Sequence, residues 1–204
     1  MSIIFDVETI GLPPRKPREK GDHLHGAREY PDCSDLLSYD SCRVVQISWI
    51  TVTPRKIRKN RVNDFIIKPK DFQVGATHIH GIRHIDAVKK GVDMKTVLKF
   101  FMSDLKKTDK IIAHNLQFDY HVLKSEMYRL ELYDMIREFD SKIQICTMRL
   151  CTCVEKHEKP PRLSELYELL LKKPMENLHD SKYDTINLYR VCVALQKRKM
   201  LCMT

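Results

Sequence analysis

Apolar positions along the chain change period several times, and each change marks an element. Residues 2–7 form a short, nearly continuous apolar run, which predicts a buried central strand. Residues 43–53 are rich in β-branched and aromatic types and predict a second strand, and 62–67 predict a third, paired with it as a hairpin. Over 94–105 the spacing shifts, so that Val97, Leu98, Phe101 and Leu105 recur on one face of a helix. Ile111 and Ile112 suit a short buried strand ending at His114-Asn115. Residues 117–132 predict a second helix, with Phe118, Val122, Leu123 and Tyr128 available for its inner face. A fifth strand is predicted over 142–147. After the Pro160-Pro161 break come a helix over 163–171 and a last one over 180–196, with Asp180 or Ser181 as its N-cap.

The order β-β-β-α-β-α-β-α-α predicts an α/β fold: a mixed five-stranded sheet with helices packed on it. Residues 13–43 break the pattern with prolines, mixed charge and no period. They read as a long loop insertion holding one helical turn near Ser34-Asp35-Leu36-Leu37. Loops of that length in compact domains are usually functional or mobile. The 204 residues suffice for one well-buried core, so 1–204 is expected to be a single domain.

A net charge of +9 points to a polyanionic partner. Seven cysteines, an odd number, follow an opening that does not read as a secretory signal. That combination favours reduced thiols and a cytoplasmic or nuclear setting. No apolar run approaches the roughly 20 residues of a membrane span, so no membrane partner is expected. Cys146, Cys151, Cys153 and His157 lie close in sequence, but Cys-x-Cys is not the usual spacing of structural zinc, and buried or free thiols are the expectation.

The candidate chemistry is acidic. Asp6 and Glu8, two apart on a strand, project from one face, while Phe5 and Val7 turn to the other. Two such carboxylates repel unless a cation lies between them. Asp119 falls in the first turn after the strand that ends at His114, and strand ends are where sites gather in α/β folds. His114 and His121 flank it, Asn115 and Gln117 are placed to orient backbone or substrate, and Phe118 serves either the core or base stacking. His179 and Asp184 are five apart, about 140° on a continuous helix. His179 is therefore expected just ahead of the helix, reaching in from a loop while Asp184 points in from the helix itself. Four carboxylates of this kind suit hard cations such as Mg²⁺ or Mn²⁺, and a histidine titrates near neutrality.

Together, Asp6-Val7-Glu8, His114-Asn115-Leu116-Gln117-Phe118-Asp119 and His179 through Asp184 resemble, in order, the motifs of the DEDDh 3′–5′ exonucleases. That superfamily contains proofreading subunits, RNase T and oligoribonuclease. The sister DEDDy group carries tyrosine four residues before the last aspartate, where this chain has Asp180. Val44-Val45-Gln46-Ile47-Ser48 looks like the family's second strand, Ala76 through Ile82 like its Ile-His-Gly-Ile segment, and Thr9-Ile10-Gly11-Leu12 like its Thr-Gly-Leu turn. The long 13–43 stretch looks more like exonucleases of large DNA viruses and some phages.

The resemblance implies an RNase H-like fold and a mechanism using two Mg²⁺ or Mn²⁺ ions. It makes Asp6 a ligand to both ions, Glu8 and Asp184 ligands of the ion carrying the nucleophile, and Asp119 support for the second. His179 would be the general base. Thr9, Leu12, His80, Asn115 and Phe118 become candidate substrate contacts. The implied product is a nucleoside 5′-monophosphate from the 3′ end of nucleic acid, with single-stranded DNA the first expectation and RNA the alternative. A catalytically silent binding module is the rival from another class, and it would be expected to lack a ligand. A monomer or homodimer without an obligate protein partner is expected. Basic residues in 54–61 and at Arg15, Lys16, Arg18 and Lys20 either grip a phosphate backbone or are solvated turns.

Overall fold

The computed structural model describes residues 1–14, 30–53, 61–155, 159–176 and 179–203. Strand β1 (Ser2–Thr9) runs through the middle of a five-stranded sheet. β2 (Val44–Val52) lies antiparallel beside it, and β3 (Val62–Ile66) antiparallel beside β2. On the other side β4 (Lys110–Ala113) runs parallel to β1, and β5 (Ile143–Cys146) parallel to β4. The sheet order is β3-β2-β1-β4-β5, a mixed sheet as the sequence pattern indicates.

Helices fill the crossovers that parallel strands require. Between β3 and β4 come α1 (Thr77–His80), α2 (His84–Lys90) and α3 (Met94–Leu105). Between β4 and β5 come α4 (Leu116–Arg129) and α5 (Tyr133–Asp140), and after β5 follow α6 (Thr147–Glu155), α7 (Leu163–Leu171) and α8 (Ser181–Lys197). α3 starts where Asp93 accepts the Thr96 N–H at 3.1 Å, and α8 where Asp180 accepts that of Lys182 at 3.0 Å.

Alternation along β1 divides the protein into two cores. Ile3, Phe5 and Val7 face one side, where Phe5 meets Phe101 of α3 and Phe139 of α5 edge to face at 5.7 and 6.1 Å. Ile4 faces the other, joining Ile50, Ile112 and the inner faces of α7 and α8 through Leu166, Leu170, Leu188, Val191 and Leu195. On that second face the next positions of β1 are Asp6 and Glu8. The apolar layer therefore stops at Ile4, and carboxylates take over where the first turn of α8 arrives.

Several elements differ from the sequence pattern. The single helix expected over 117–132 ends at Arg129, because Glu131 takes a left-handed backbone (φ 56°) and the chain turns into α5. The fifth strand stops at Cys146, and Thr147 begins a helix that the pattern did not indicate. α1 and α2 are too short to show a helical period. In the insertion, the expected turn is a 3-10 helix over Leu36–Tyr39, held by the Tyr39 hydroxyl on the Pro31 carbonyl (2.8 Å) and by Arg129 of α4 on Asp40 (2.8 Å). The basic clusters at 15–20 and 54–60, and His157, lie outside the described residues. Among the described residues no helix is long and apolar enough to cross a membrane.

Candidate active site

Asp6 and Glu8 come from β1, Asp119 from the first turn of α4 and Asp184 from the first turn of α8. Short polar ties hold these elements in register. The Val7 N–H donates to Asp119 Oδ1 at 3.2 Å, fixing α4 to β1. The Ser181 hydroxyl donates to the Asp6 carbonyl at 2.7 Å, and the Thr185 hydroxyl to the Ser48 carbonyl at 3.2 Å, fixing α8 across β1 and β2.

The result is a dense group of acids. Asp6, Glu8 and Asp184 each offer an oxygen, and these oxygens lie within 4.8 Å of one another. Asp119 is buried beside them, close enough to raise the proton affinity of Asp6. Burial is the main cause holding the Asp6 carboxyl well above its usual range, followed by the charges of Asp119, Asp184 and Glu8. Burial likewise raises Asp119. Glu8 is pushed up to about 7, by burial first and then by Asp184 and Asp180. Asp184 also rises to about 7, by burial and Asp180, against the His179 N–H that lowers it.

Two buried oxygens here, Asp6 Oδ2 and Asp184 Oδ1, have no hydrogen-bond partner. Unpaired buried acceptors are costly, and a cation satisfies both. An all-oxygen donor set is that of a hard divalent ion, so these residues fit a hard divalent cation on chemical grounds.

His179 stands just ahead of α8 with a left-handed backbone (φ 63°) and an exposed side chain. Its N–H donates to Asp184 Oδ2 at 3.1 Å. Among the substrate candidates, Thr9 lies at a register shift in β1, its hydroxyl on the Gly11 carbonyl at 2.6 Å. At Gly11 a Cβ would sit 2.6 Å from the Ser41 carbonyl oxygen, so only glycine fits this turn unshifted. Just beyond it Leu12 projects into solvent, 67% exposed. His80 is buried, with Nε2 on the Gly75 carbonyl (2.9 Å) and Nδ1 accepting the Ile82 N–H (3.1 Å), so both ring nitrogens are occupied by backbone. Gly75 in turn abuts Ile10, which sets the 75–82 turn beside the 9–12 turn. Asn115 is the left-handed residue (φ 66°) that opens α4, and Phe118 is half-buried with its ring 6.4 Å from that of Tyr30.

The flanking histidines do not join the acids. His114 Nδ1 meets the Thr147 hydroxyl and Nε2 the Pro161 carbonyl, each at 2.9 Å, and burial lowers its pKa to about 4. His121 bonds the Gln117 carbonyl and stacks on Tyr30 at 5.2 Å. Cys146 is half-buried on β5 and Cys151 is buried in the α7–α8 core. Two residues at the site were legible in sequence only as an N-cap and a strand position, not as neighbours of the acids. Asp180 lies close enough to raise both Glu8 and Asp184. Gln46, the β2 partner of Glu8 in the strand register, is buried beneath it.

A family model described as an exonuclease, RNase T, matches residues 3–192. No curated protein is similar in sequence at a significant level. Among solved structures, the nuclease domain of 3'hExo, described as a DEDDh family member bound to rAMP, aligns with a TM-score of 0.67 at 14% identity, covering 97% of this chain and 92% of that one. A zinc-bound complex of E. coli ExoI with single-stranded DNA aligns with a TM-score of 0.71 at 18% identity, covering 97% of this chain and 41% of that one. This chain thus spans about two fifths of ExoI, and at these identities the likeness is one of fold.

Proposed function

The chain belongs to the RNase T family of exonucleases and has the RNase H-like fold; from that premise we propose that this 3′–5′ exonuclease of the DEDDh type releases nucleoside 5′-monophosphates from single-stranded DNA. The carrying observation is the group of Asp6, Glu8 and Asp184 oxygens within 4.8 Å, with a buried orphan oxygen on each aspartate.

In this reading Asp6, Glu8, Asp119 and Asp184 would hold two Mg²⁺ or Mn²⁺ ions, whose chemistry when bound would be to polarise a phosphodiester and lower the pKa of water. The chain's own residues do the remainder. Asp119 is kept in place by the Val7 N–H and Asp184 by the His179 N–H, so neither carboxylate needs to reorganise when substrate arrives. His179 takes the proton of the attacking water through its exposed imidazole. The Thr9–Leu12 turn and the 75–82 turn, docked together, form one wall of the site, and exposed Leu12 and Ile79 offer apolar surface to terminal bases. His80 acts there through shape, since its nitrogens are bonded to backbone. Phe118 and Asn115, at the start of α4 beside Asp119 in sequence, are the remaining candidate contacts.

RNA is the second reading, favoured by the rAMP-bound relative of nearly equal length. The deciding experiment follows 5′-labelled single-stranded DNA and RNA with Mg²⁺ or Mn²⁺, using wild type, Asp6→Ala and His179→Ala. Shortening from the 3′ end that both substitutions abolish is the expected result, and the faster substrate identifies the sugar. No metal-dependent shortening of either strand would overturn the reading.

A further inference from the structure

We propose that Gln46 is a positioning residue for the reaction, an amide clamp that sets the first turn of α8 against the sheet and so aims Asp184 and His179. The inference rests on the exonuclease reading. Gln46 is buried (5% exposed) and lies opposite Glu8 in the β1–β2 register, on the face that carries the carboxylates. Its Nε2 donates to Asp64 Oδ1 of β3 at 2.9 Å and to Asp180 Oδ1 at 3.2 Å, while its Oε1 accepts the Ser181 N–H at 3.4 Å.

The amide has one self-consistent orientation. Two carboxylates that only accept face the nitrogen, and a backbone N–H that only donates faces the oxygen. Flipping the group would make all three contacts repulsive. Asp64 is further fixed by the Ser48 hydroxyl at 2.8 Å, so the clamp is anchored at its outer end.

The clamp does two things. It grips both residues between His179 and Lys182, where the chain enters α8, and Asp184 follows one turn later. It also gives Asp180, a carboxylate near Glu8 and Asp184, a second tie beside its cap on the Lys182 N–H, directing Oδ1 toward β2. Groups behind metal-binding carboxylates typically contribute about 10–100-fold to metal affinity or activity. Gln46 touches neither substrate nor reacting atoms in this arrangement.

The test is a double-mutant cycle on the full chain with Gln46→Leu, nearly isosteric and unable to hydrogen bond, and Asp180→Ser, which keeps an N-cap acceptor for Lys182 but cannot reach Gln46. Both kcat and KM on a single-stranded oligonucleotide are measured, together with Mn²⁺ binding by calorimetry and thermal melting. Each single substitution is expected to lower kcat and Mn²⁺ affinity by about 10–100-fold with KM little changed, and the double variant to be no worse than Gln46→Leu. Multiplying effects, or losses that only track the unfolded fraction, would overturn the proposal. If Gln46→Leu does not fold, Asp180→Ser alone decides, and unchanged kcat and Mn²⁺ affinity there count against the clamp. Wild type without nuclease activity would instead sink the exonuclease reading, and the calorimetry would still report on Gln46.

Discussion

His179 and Asp184 are joined through the backbone: the His179 N–H donates to Asp184 Oδ2 at 3.1 Å, and the imidazole takes no part in the bond. Holding the acid and presenting the base are thus separable jobs of one residue.

Replacing His179 with Asn tests that separation. Asn tolerates the left-handed backbone (φ 63°) and keeps the N–H, so Asp184 stays in place while the base is lost. The expected outcome is a fall in kcat of about 10²–10⁴-fold. Mn²⁺ affinity measured by calorimetry should be almost unchanged; a parallel loss of affinity would mean that the imidazole supports the metal site.

Asp6→Asn should separate function from stability. It removes the acid at the centre of the carboxylate group and with it metal-dependent cleavage. It also removes a buried charge that Asp119, Asp184 and Glu8 all repel. Without metal at about pH 8, the variant is expected to melt higher than wild type, at about 2–4 °C per kcal/mol for a chain of this size. A lower melting temperature would argue that Asp6 contributes structure apart from the metal.

Burial, with the repulsion among these acids added to it, gives metal-free protein an unusual pH dependence. Glu8 rises from 4.5 to about 7 and Asp184 from 3.8 to about 7 on folding. Folded carboxyls that hold protons the unfolded chain has lost make stability fall as pH rises through this window. EDTA-treated protein should therefore melt lower at about pH 8 than at about pH 5.5, and Mn²⁺ should restore the loss chiefly at the higher pH, where protons no longer compete. A melting curve insensitive to both pH and Mn²⁺ would remove the idea.

His114 works in the opposite direction. Its folded pKa is depressed to about 4 from 6.5, so its contribution is complete above 6.5 and is lost as pH falls toward 4. His114→Ala leaves the Pro161 carbonyl without its ring donor and opens a gap between β4, α6 and the turn before α7. A loss of about 2–4 kcal/mol in chemical denaturation is expected near neutrality, shrinking toward acid pH. An equal loss at both pH values would show that packing alone matters there.

The site was more legible in sequence than the frame around it. Asp6 and Glu8 could be placed because strand alternation is strict, and Asp184 because the cap at Asp180 fixed where α8 begins. Glu131 shows the limit, since nothing in 117–132 interrupts the helical period, yet a left-handed residue there divides one expected helix into two. Thr147 shows another: its hydroxyl bonds His114, and no local pattern reports a partner 33 residues away. Gln46 read as one more strand residue because its partners lie on β3 and α8, elements whose neighbourhood exists only after folding.

The division of the acids between β1, α4 and α8 also orders events in time. During synthesis the N-terminal carboxylates emerge first, and Asp184 only when nearly the whole domain has left the ribosome. Because α8 both delivers that carboxylate and covers the second core, no nascent or partly folded chain can assemble the full acid group.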